Sequence, residues 1–402
     1  MILRAFASLA LLGLSTTALA NDPPLPLQVC DGNAMVNVAP EGSDFVWLQC
    51  ENFCVGDFEA CTDESEVTDV FGSPLREVTF TVDGMVGRVR YNKPDPELGI
   101  TAGIVIHPGG NGTKWKDTNR DFWSSFERDG VRIIGIRWYS GILDPLTGSA
   151  WGWLTKKSAP DGGFADVTRR PAEVLKWVRG NLVPADKKIG VVGHSNGSLA
   201  VMGALHWHGV HDAVDYLLLN SGATRWDIEL ECRTQAGFFP PNGLCENNPA
   251  LVCSSDTDCG GSADKCAFPF LERNAARRMD YRLDSGTACR EGDSHPNLLA
   301  NGMGTSPGEW TFDFPVDVLV AEDPPRRPET GDTAMGLTWE LGNVYNAIQT
   351  THPLGKRWLD YHGYRHGAAG FDPELLPAFE CTLRRGMNIE PLCTNDPTPA
   401  SP

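Results

Sequence analysis

The chain is predicted to form an α/β domain: a mostly parallel central sheet with helices on both faces, a disulfide-rich insertion after the sixth strand, and a cysteine-rich N-terminal extension. Three observations predict this. From about residue 77, short apolar runs alternate with stretches of helical periodicity, the pattern of parallel strands joined by crossover helices. The runs are continuously apolar, as in strands covered on both faces. The alternation stops near Ala223 and resumes at Phe314, and the stretch between holds Cys232, Cys245, Cys253, Cys259, Cys266 and Cys289.

Residues 1–20 read as an export signal. Arg4 precedes an apolar run from Ala5 to Leu14, and Ala18-Leu19-Ala20 supplies a small-residue cleavage site. That run is too short to span a bilayer, and no later segment is long and apolar enough. A secreted or periplasmic chain starting near Asn21 is expected. The other cysteines fall into even groups as well, Cys30, Cys50, Cys54 and Cys61, then Cys381 and Cys393. Exported thiols meet an oxidising compartment, so disulfides within groups are expected, with connectivity left open. Residues 21–75 form the extension, 76–393 the main domain with its insertion at about 223–313, and 394–402 a Pro/Thr/Ser-rich tail expected to be disordered. The formal charge of −18 argues against nucleic acid or an anionic membrane as partner. Oligomeric state is not readable.

Glu77–Val82 and Val86–Tyr91 flank Asp83-Gly84, a hairpin signal. Gly103–His107 is a strand, Asp117–Arg128 a helix and Val131–Trp138 a strand. Asp166–Gly180 is a helix, with Pro171 in its first turn and Val174, Leu175 and Val178 on one face. Lys188–Val192 is a buried strand, Asn196–Trp207 a helix and Val214–Asn220 a strand. After the irregular insertion come a strand Phe314–Ala321, a helix near Leu337–Ile348, a strand Lys356–Tyr361 and a helix Pro373–Arg385.

The strongest chemical signal is Gly193-His194-Ser195-Asn196-Gly197 between a strand and a helix. A serine hydroxyl is a weak nucleophile unless it is held exposed beside a base. A sharp strand-to-helix turn exposes it, and Gly193 and Gly197 remove side chains that the turn would crowd. The second signal is Ile104-Val105-Ile106-His107-Pro108-Gly109-Gly110-Asn111. A tetrahedral oxyanion needs fixed N–H donors. The candidates are the amides of Asn196 and of Gly110 or Asn111.

These two motifs resemble the α/β-hydrolase superfamily, from about residue 76 to 386, with the HPGG loop standing for an HGGG-type oxyanion loop. The resemblance implies the chain order nucleophile, acid, base. It places the acid after a late strand, where Pro315–Ala321 leads into Glu322-Asp323-Pro324. Asp323 is the candidate, with Glu322 and Asp332 as alternatives, and the mid-strand Asp317 reads as structural. It places the base after the last strand, at His366 or alternatively His362. The position of the insertion is one where relatives often carry a lid, which shapes access and excludes water; a surface module is the other reading.

Several features point elsewhere. His206, His208 and His211 close the helix after Ser195, where histidine complements the helix dipole rather than forming a metal site. Trp138, Tyr139, Trp151 and Trp153 suit either an acyl or aryl pocket or core packing. Asp256 and Asp258 offer too few oxygens for calcium. No metal and no cofactor is expected. The expected chemistry is acyl transfer on a small-molecule or polymeric ester through Ser195, His366 and Asp323, by an acyl-enzyme. A peptidase or amidase on the same machinery, and a non-catalytic binding protein that keeps the fold, are the alternatives.

Overall fold

The structure is a computed structural model. It describes residues 27–31, 34–38, 59–60, 65–68, 74–83, 85–93, 97–110, 112–116, 119–138, 152–154, 163–222, 228, 232, 243–245, 248–253, 266–267, 283, 285, 288–291, 293–303, 310–320, 341–342, 344–361 and 373–393. The chain divides into two compact units, Met1–Phe53 and Cys54–Pro402. In the first, β1 (Leu27–Asp31) and β2 (Ala34–Val38) form an antiparallel hairpin.

The second unit is built on a ten-stranded sheet. Its antiparallel edge contains β3 (Glu59–Ala60), β4 (Ser65–Thr68), β5 (Pro74–Val82) and β6 (Met85–Asn92). Both β3 and β4 pair with β5, so sheet pairing begins upstream of residue 76, inside the stretch expected to be extension. The β5–β6 hairpin turns at Asp83, whose φ of 51° suits a hairpin turn.

Six parallel strands follow: β7 (Ala102–His107), β8 (Val131–Trp138), β9 (Lys188–His194), β10 (Tyr216–Asn220), β15 (Val316–Val320) and β17 (Lys356–Asp360). The spatial order is β6-β8-β7-β9-β10-β15-β17. Alternation along each strand divides the core. Ile104, Ile106 and Val192 face one side with Phe122, Trp123 and Phe126 of α1 (Arg120–Arg128). Val105, Ile189 and Val191 face the other side, with the buried residues of α3 (Arg169–Asn181) and α4 (Asn196–His208). Every residue from Leu199 to Leu205 is buried, which explains why α4 is apolar all round.

Two predicted helices are corrected. The one expected over 166–180 is two: α2 (Phe164–Val167) ends at Thr168, whose hydroxyl donates to the Phe164 and Ala165 carbonyls, and α3 follows. The one expected to reach Ile348 ends at Ala347. There β16 (Ile348–Thr350) pairs in parallel with β14 (Trp310–Phe312), a partner invisible to local periodicity. The insertion is less irregular than expected. It holds an antiparallel sheet of β11 (Gly243–Cys245), β12 (Asn248–Cys253) and β13 (Cys266–Ala267), then α5 (Ala288–Glu291) and α6 (Pro296–Ala300). A disulfide joins Cys232 to Cys289, and another ties Cys381 of α7 (Leu376–Met387) to Cys393, both within the expected groups. Among the described residues no helix is long and apolar enough to cross a membrane.

Candidate active site

Strand β9 ends at His194 and helix α4 begins at Asn196, leaving one residue for the turn. Ser195 takes φ 51° and ψ −127°, a strained conformation for a side chain with a Cβ. Its surroundings hold it there. The Ser195 N–H donates to the Asn220 carbonyl at 2.9 Å, and its own carbonyl accepts from the Ser198 N–H at 2.8 Å. The Ser198 hydroxyl donates to the Gly193 carbonyl at 2.9 Å. Ser195 and Asn196 are half-buried, while His194 and Gly197 on either side are buried.

Both elbow glycines are required by contact. A Cβ on Gly193 would stand 2.7 Å from Ser198 Cα, and one on Gly197 would stand 2.3 Å from the His107 carbonyl oxygen. Gly222, just past the end of β10, meets the same demand and lies in neither motif. A Cβ there would lie 1.9 Å from Ser198 Oγ and 2.8 Å from the Ser195 carbonyl oxygen. A glycine close behind a buried strand is the only signal the sequence offers for it.

The glycine loop after β7 lies directly on this elbow. A Cβ on Gly109 would be 2.8 Å from Ser195 Cβ, so no other residue allows the same approach. Gly110, at φ 59°, has open space around its Cβ position, so its requirement is conformational. The turn closes with the Gly112 N–H donating to the Gly109 carbonyl at 3.1 Å. Its far arm is pinned to the sheet. The Trp138 N–H donates to the Gly112 carbonyl at 2.8 Å, Arg137 Nε to the Thr113 carbonyl at 3.0 Å, and the Arg90 guanidinium lies 4.1 Å over the Trp115 ring. Asn196 is the first residue of α4, so its N–H has no acceptor within the helix. The Ser195 side chain does not cap it, and the helix dipole favours negative charge at this end.

His107, the last residue of β7, is fully buried, and neither ring nitrogen has a hydrogen bond. Burial lowers its pKa to about 3, opposed only by the Pro108 backbone, so the ring is neutral at physiological pH.

Strand β15 runs beside β10 and β17 beside β15, where Val320 pairs with Asp360. The Tyr361 N–H donates to the Val320 carbonyl at 2.8 Å, so the segments that follow leave from the same sheet edge as Ser195. Glu322, Asp323, Asp332, His362 and His366 lie outside the described residues, as does Asn111. Asp317 faces the core. It accepts from Arg357 Nε at 2.7 Å and Nη2 at 2.6 Å, and from the Tyr216 hydroxyl at 2.7 Å.

The described aromatic and histidine candidates are engaged in packing. Trp138 and Trp153 are fully buried in one core cluster, and both rings close on Gly112, whose Cβ would stand 2.8 and 2.7 Å from them. Tyr139 and Trp151 lie outside the described residues. His206 Nδ1 accepts from Trp310 Nε1 at 2.9 Å, and His208 Nε2 lies 2.7 Å from the Ala165 carbonyl. Among the described residues no three histidine, cysteine or acidic side chains are grouped to hold a metal.

No family model and no curated protein matches the chain. Among solved structures, it is similar to an alpha/beta hydrolase superfamily protein from Enterococcus faecalis, at 12% identity and a TM-score of 0.43 over 81% of this chain and 98% of that one. Acetyl xylan esterase 1 from Thermoanaerobacterium sp. aligns at 15% identity and 0.42 over 80% and 86%. A thermostable carboxyl esterase from Bacillus coagulans aligns at 12% and 0.41 over 83% and 99%. By its own strand order, covering helices and strand-to-helix elbow, the chain has the α/β-hydrolase fold.

Proposed function

We propose that the chain is a serine hydrolase that cleaves carboxylic esters, with Ser195 as nucleophile, His366 as base and Asp323 as acid. The observation that carries this reading is the strained Ser195 backbone, set between the Gly109 loop and the N-terminus of α4. Strain of this kind persists only where the surroundings enforce it, and it concentrates at functional sites. His366 takes the proton as Ser195 Oγ attacks the carbonyl, and Asp323 steadies the imidazolium. The amides of Asn196 and of Gly110 or Asn111 receive the oxyanion, and water then releases the acid from the acyl-enzyme. No cofactor enters this scheme.

Spacing supports the assignment. β15 is two strands from β9 and β17 three, which is about 10 and 14 Å at the usual strand separation. Asp323 lies three residues past Val320, a reach of roughly 10 Å, and His366 five past Tyr361, roughly 17 Å. His362 follows Tyr361 directly and has much less reach. An ester is favoured over an amide because an alkoxide departs more readily than an amine. Export through residues 1–20 accompanies this reading, in keeping with the two disulfides.

A phosphonate probe is expected to label the protein at Ser195. Ser195→Ala should abolish labelling and reduce p-nitrophenyl ester turnover by on the order of 10⁶ in kcat. Turnover persisting in that variant would overturn the proposal.

A further inference from the structure

An open cavity of about 520 Å³ lies at the opposite end of the sheet from Ser195, a volume ordinary for a small-molecule site. Its walls are the chain entering β7, the turn entering β9, the end of α1 and the end of α7. Ala102 and Lys188, the first residues of β7 and β9, stand opposite each other, so both strands start here and run toward the elbow. The seven residues of β9, at about 3.3 Å each, put Ser195 roughly 20 Å away. The walls are fixed. The Thr101 N–H donates to the Gly130 carbonyl at 3.0 Å, and its hydroxyl to the Asp129 carbonyl at 2.7 Å. The buried Arg384 Nη1 donates to the Asp129 carboxylate at 2.7 Å and to the Glu390 carbonyl at 3.3 Å. A cavity tied in this way needs little ordering to receive a ligand.

We propose that this cavity binds a medium-chain monocarboxylate, its head on Arg128 and Lys188 and its tail over Ala102, Met387 and Ile389. The charges of the lining carry the first half. Of its six charged side chains, four are engaged. Asp129 is held by Arg384, Asp186 pairs with Lys187 at 3.0 Å, and Glu390 Oε2 accepts from the Leu392 N–H at 3.0 Å. The two left over are both cations. Arg128 and Lys188 are exposed, and among the described residues neither side chain has an ion pair or a hydrogen bond. Arg128 offers a carboxylate paired donors, and Lys188 offers a point charge. The three carboxylates alongside disfavour a ligand with more than one negative charge. Burial carries the second half. Ala102, Met387 and Ile389 are buried and give the cavity an apolar floor, which favours an aliphatic tail. Leu98, 53% exposed, is the one large apolar side chain of the lining that faces solvent, so the site takes a dissolved anion rather than a lipid surface. It stands independently of the Ser195 reading, although ester cleavage releases acids of the same class.

Isothermal titration of the full chain with sodium octanoate at low ionic strength tests this, and one saturable site is expected. Octanoate should bind about tenfold more tightly than hexanoate, because two more methylenes are buried. Octanol, which lacks the charge, should bind about tenfold more weakly than octanoate. Arg128→Gln and Lys188→Gln should each weaken octanoate about threefold, and together about tenfold. Leu98→Glu, which adds a like charge at the rim, should weaken it severalfold. All three positions are exposed, so the variants should keep the wild-type thermal melt. No saturable binding, equal affinity for octanol, or an unchanged affinity in the double variant overturns the proposal. Recruitment to phosphatidylglycerol vesicles without octanoate binding overturns it as well, and marks a lipid-facing surface instead. Phosphonate labelling of Ser195 is read separately on the same samples, so failure of this site and failure of the nucleophile assignment are distinguishable.

Discussion

Asp317 on β15 and His107 on β7 are both buried polar side chains in one sheet, and the fold treats them oppositely. Asp317 is answered completely, by two guanidinium hydrogen bonds from Arg357 and one from the Tyr216 hydroxyl. Burial, reinforced by the Asp317 charge, pushes the Tyr216 phenol well above its ordinary pKa, so it remains a donor. Burial alone lowers the pKa of Arg357, but its bonds to Asp317 raise it on balance, so it stays charged. His107 is answered by nothing that reaches hydrogen-bond geometry. The completed network pins β15 to β17 and β10 beneath α7; the incomplete one sits under the loop that covers Ser195. Satisfied buried polar groups hold a fold in one arrangement, and violations of that rule gather where chemistry is done.

The comparison can be broken or sharpened by experiment. The largest effect is expected at Asp317. Asp317→Ala leaves the Arg357 guanidinium buried without its partner and should cost about 3–5 kcal/mol in urea unfolding. Turnover per folded molecule should hold, because the pair lies near the start of its strands and away from the Ser195 edge. The double change Asp317→Leu with Arg357→Met should return most of the stability, since an apolar pair of similar volume avoids desolvation. A fall in kcat at full folding would erase the contrast between the two regions.

A smaller effect follows from His107. Its pKa is depressed from 6.5 to about 3 in the folded chain, so the unfolded state binds the proton first as pH falls. Its contribution is therefore intact above about pH 6.5 and is lost progressively on acidification toward pH 3. Between pH 7 and 5 the wild type should lose about 2 kcal/mol more stability than His107→Phe, from 1.36 kcal/mol per unit. Equal acid sensitivity in paired thermal melts would mean that the ring is already charged or exposed. The smallest effect is at Tyr216. Tyr216→Phe removes one of three bonds to a carboxylate that keeps the other two, and about 1 kcal/mol is expected in the same urea assay.

Much of this architecture is legible in the amino-acid sequence. The strand and helix around Ser195, the β5–β6 hairpin and the alternating order of the main sheet follow from local apolar patterns. The two glycines of the elbow are readable as a pair, because crowding at a sharp turn is a local matter. What escapes is non-local. Nothing near Trp310 or Ile348 announces that these residues stand opposite each other in the β14–β16 pair. Trp138 and Trp153 suit a pocket as well as a core, and only the packing places them inside. Gly222 carries no motif of its own, and its importance lies in what stands beside it.

Ser195 separates the two kinds of information most clearly. Its identity as the turn residue of a strand–turn–helix is a property of neighbours in the chain, and a short motif between two apolar runs is enough to specify it. Its φ of 51°, its hydrogen bond to Asn220 and the loop lying over it are properties of neighbours in space. Backbone strain cannot be read from a short sequence, because a local segment left alone would relax it. Only strands brought together from distant parts of the chain over-determine the turn and hold it strained, and that requires the assembled sheet.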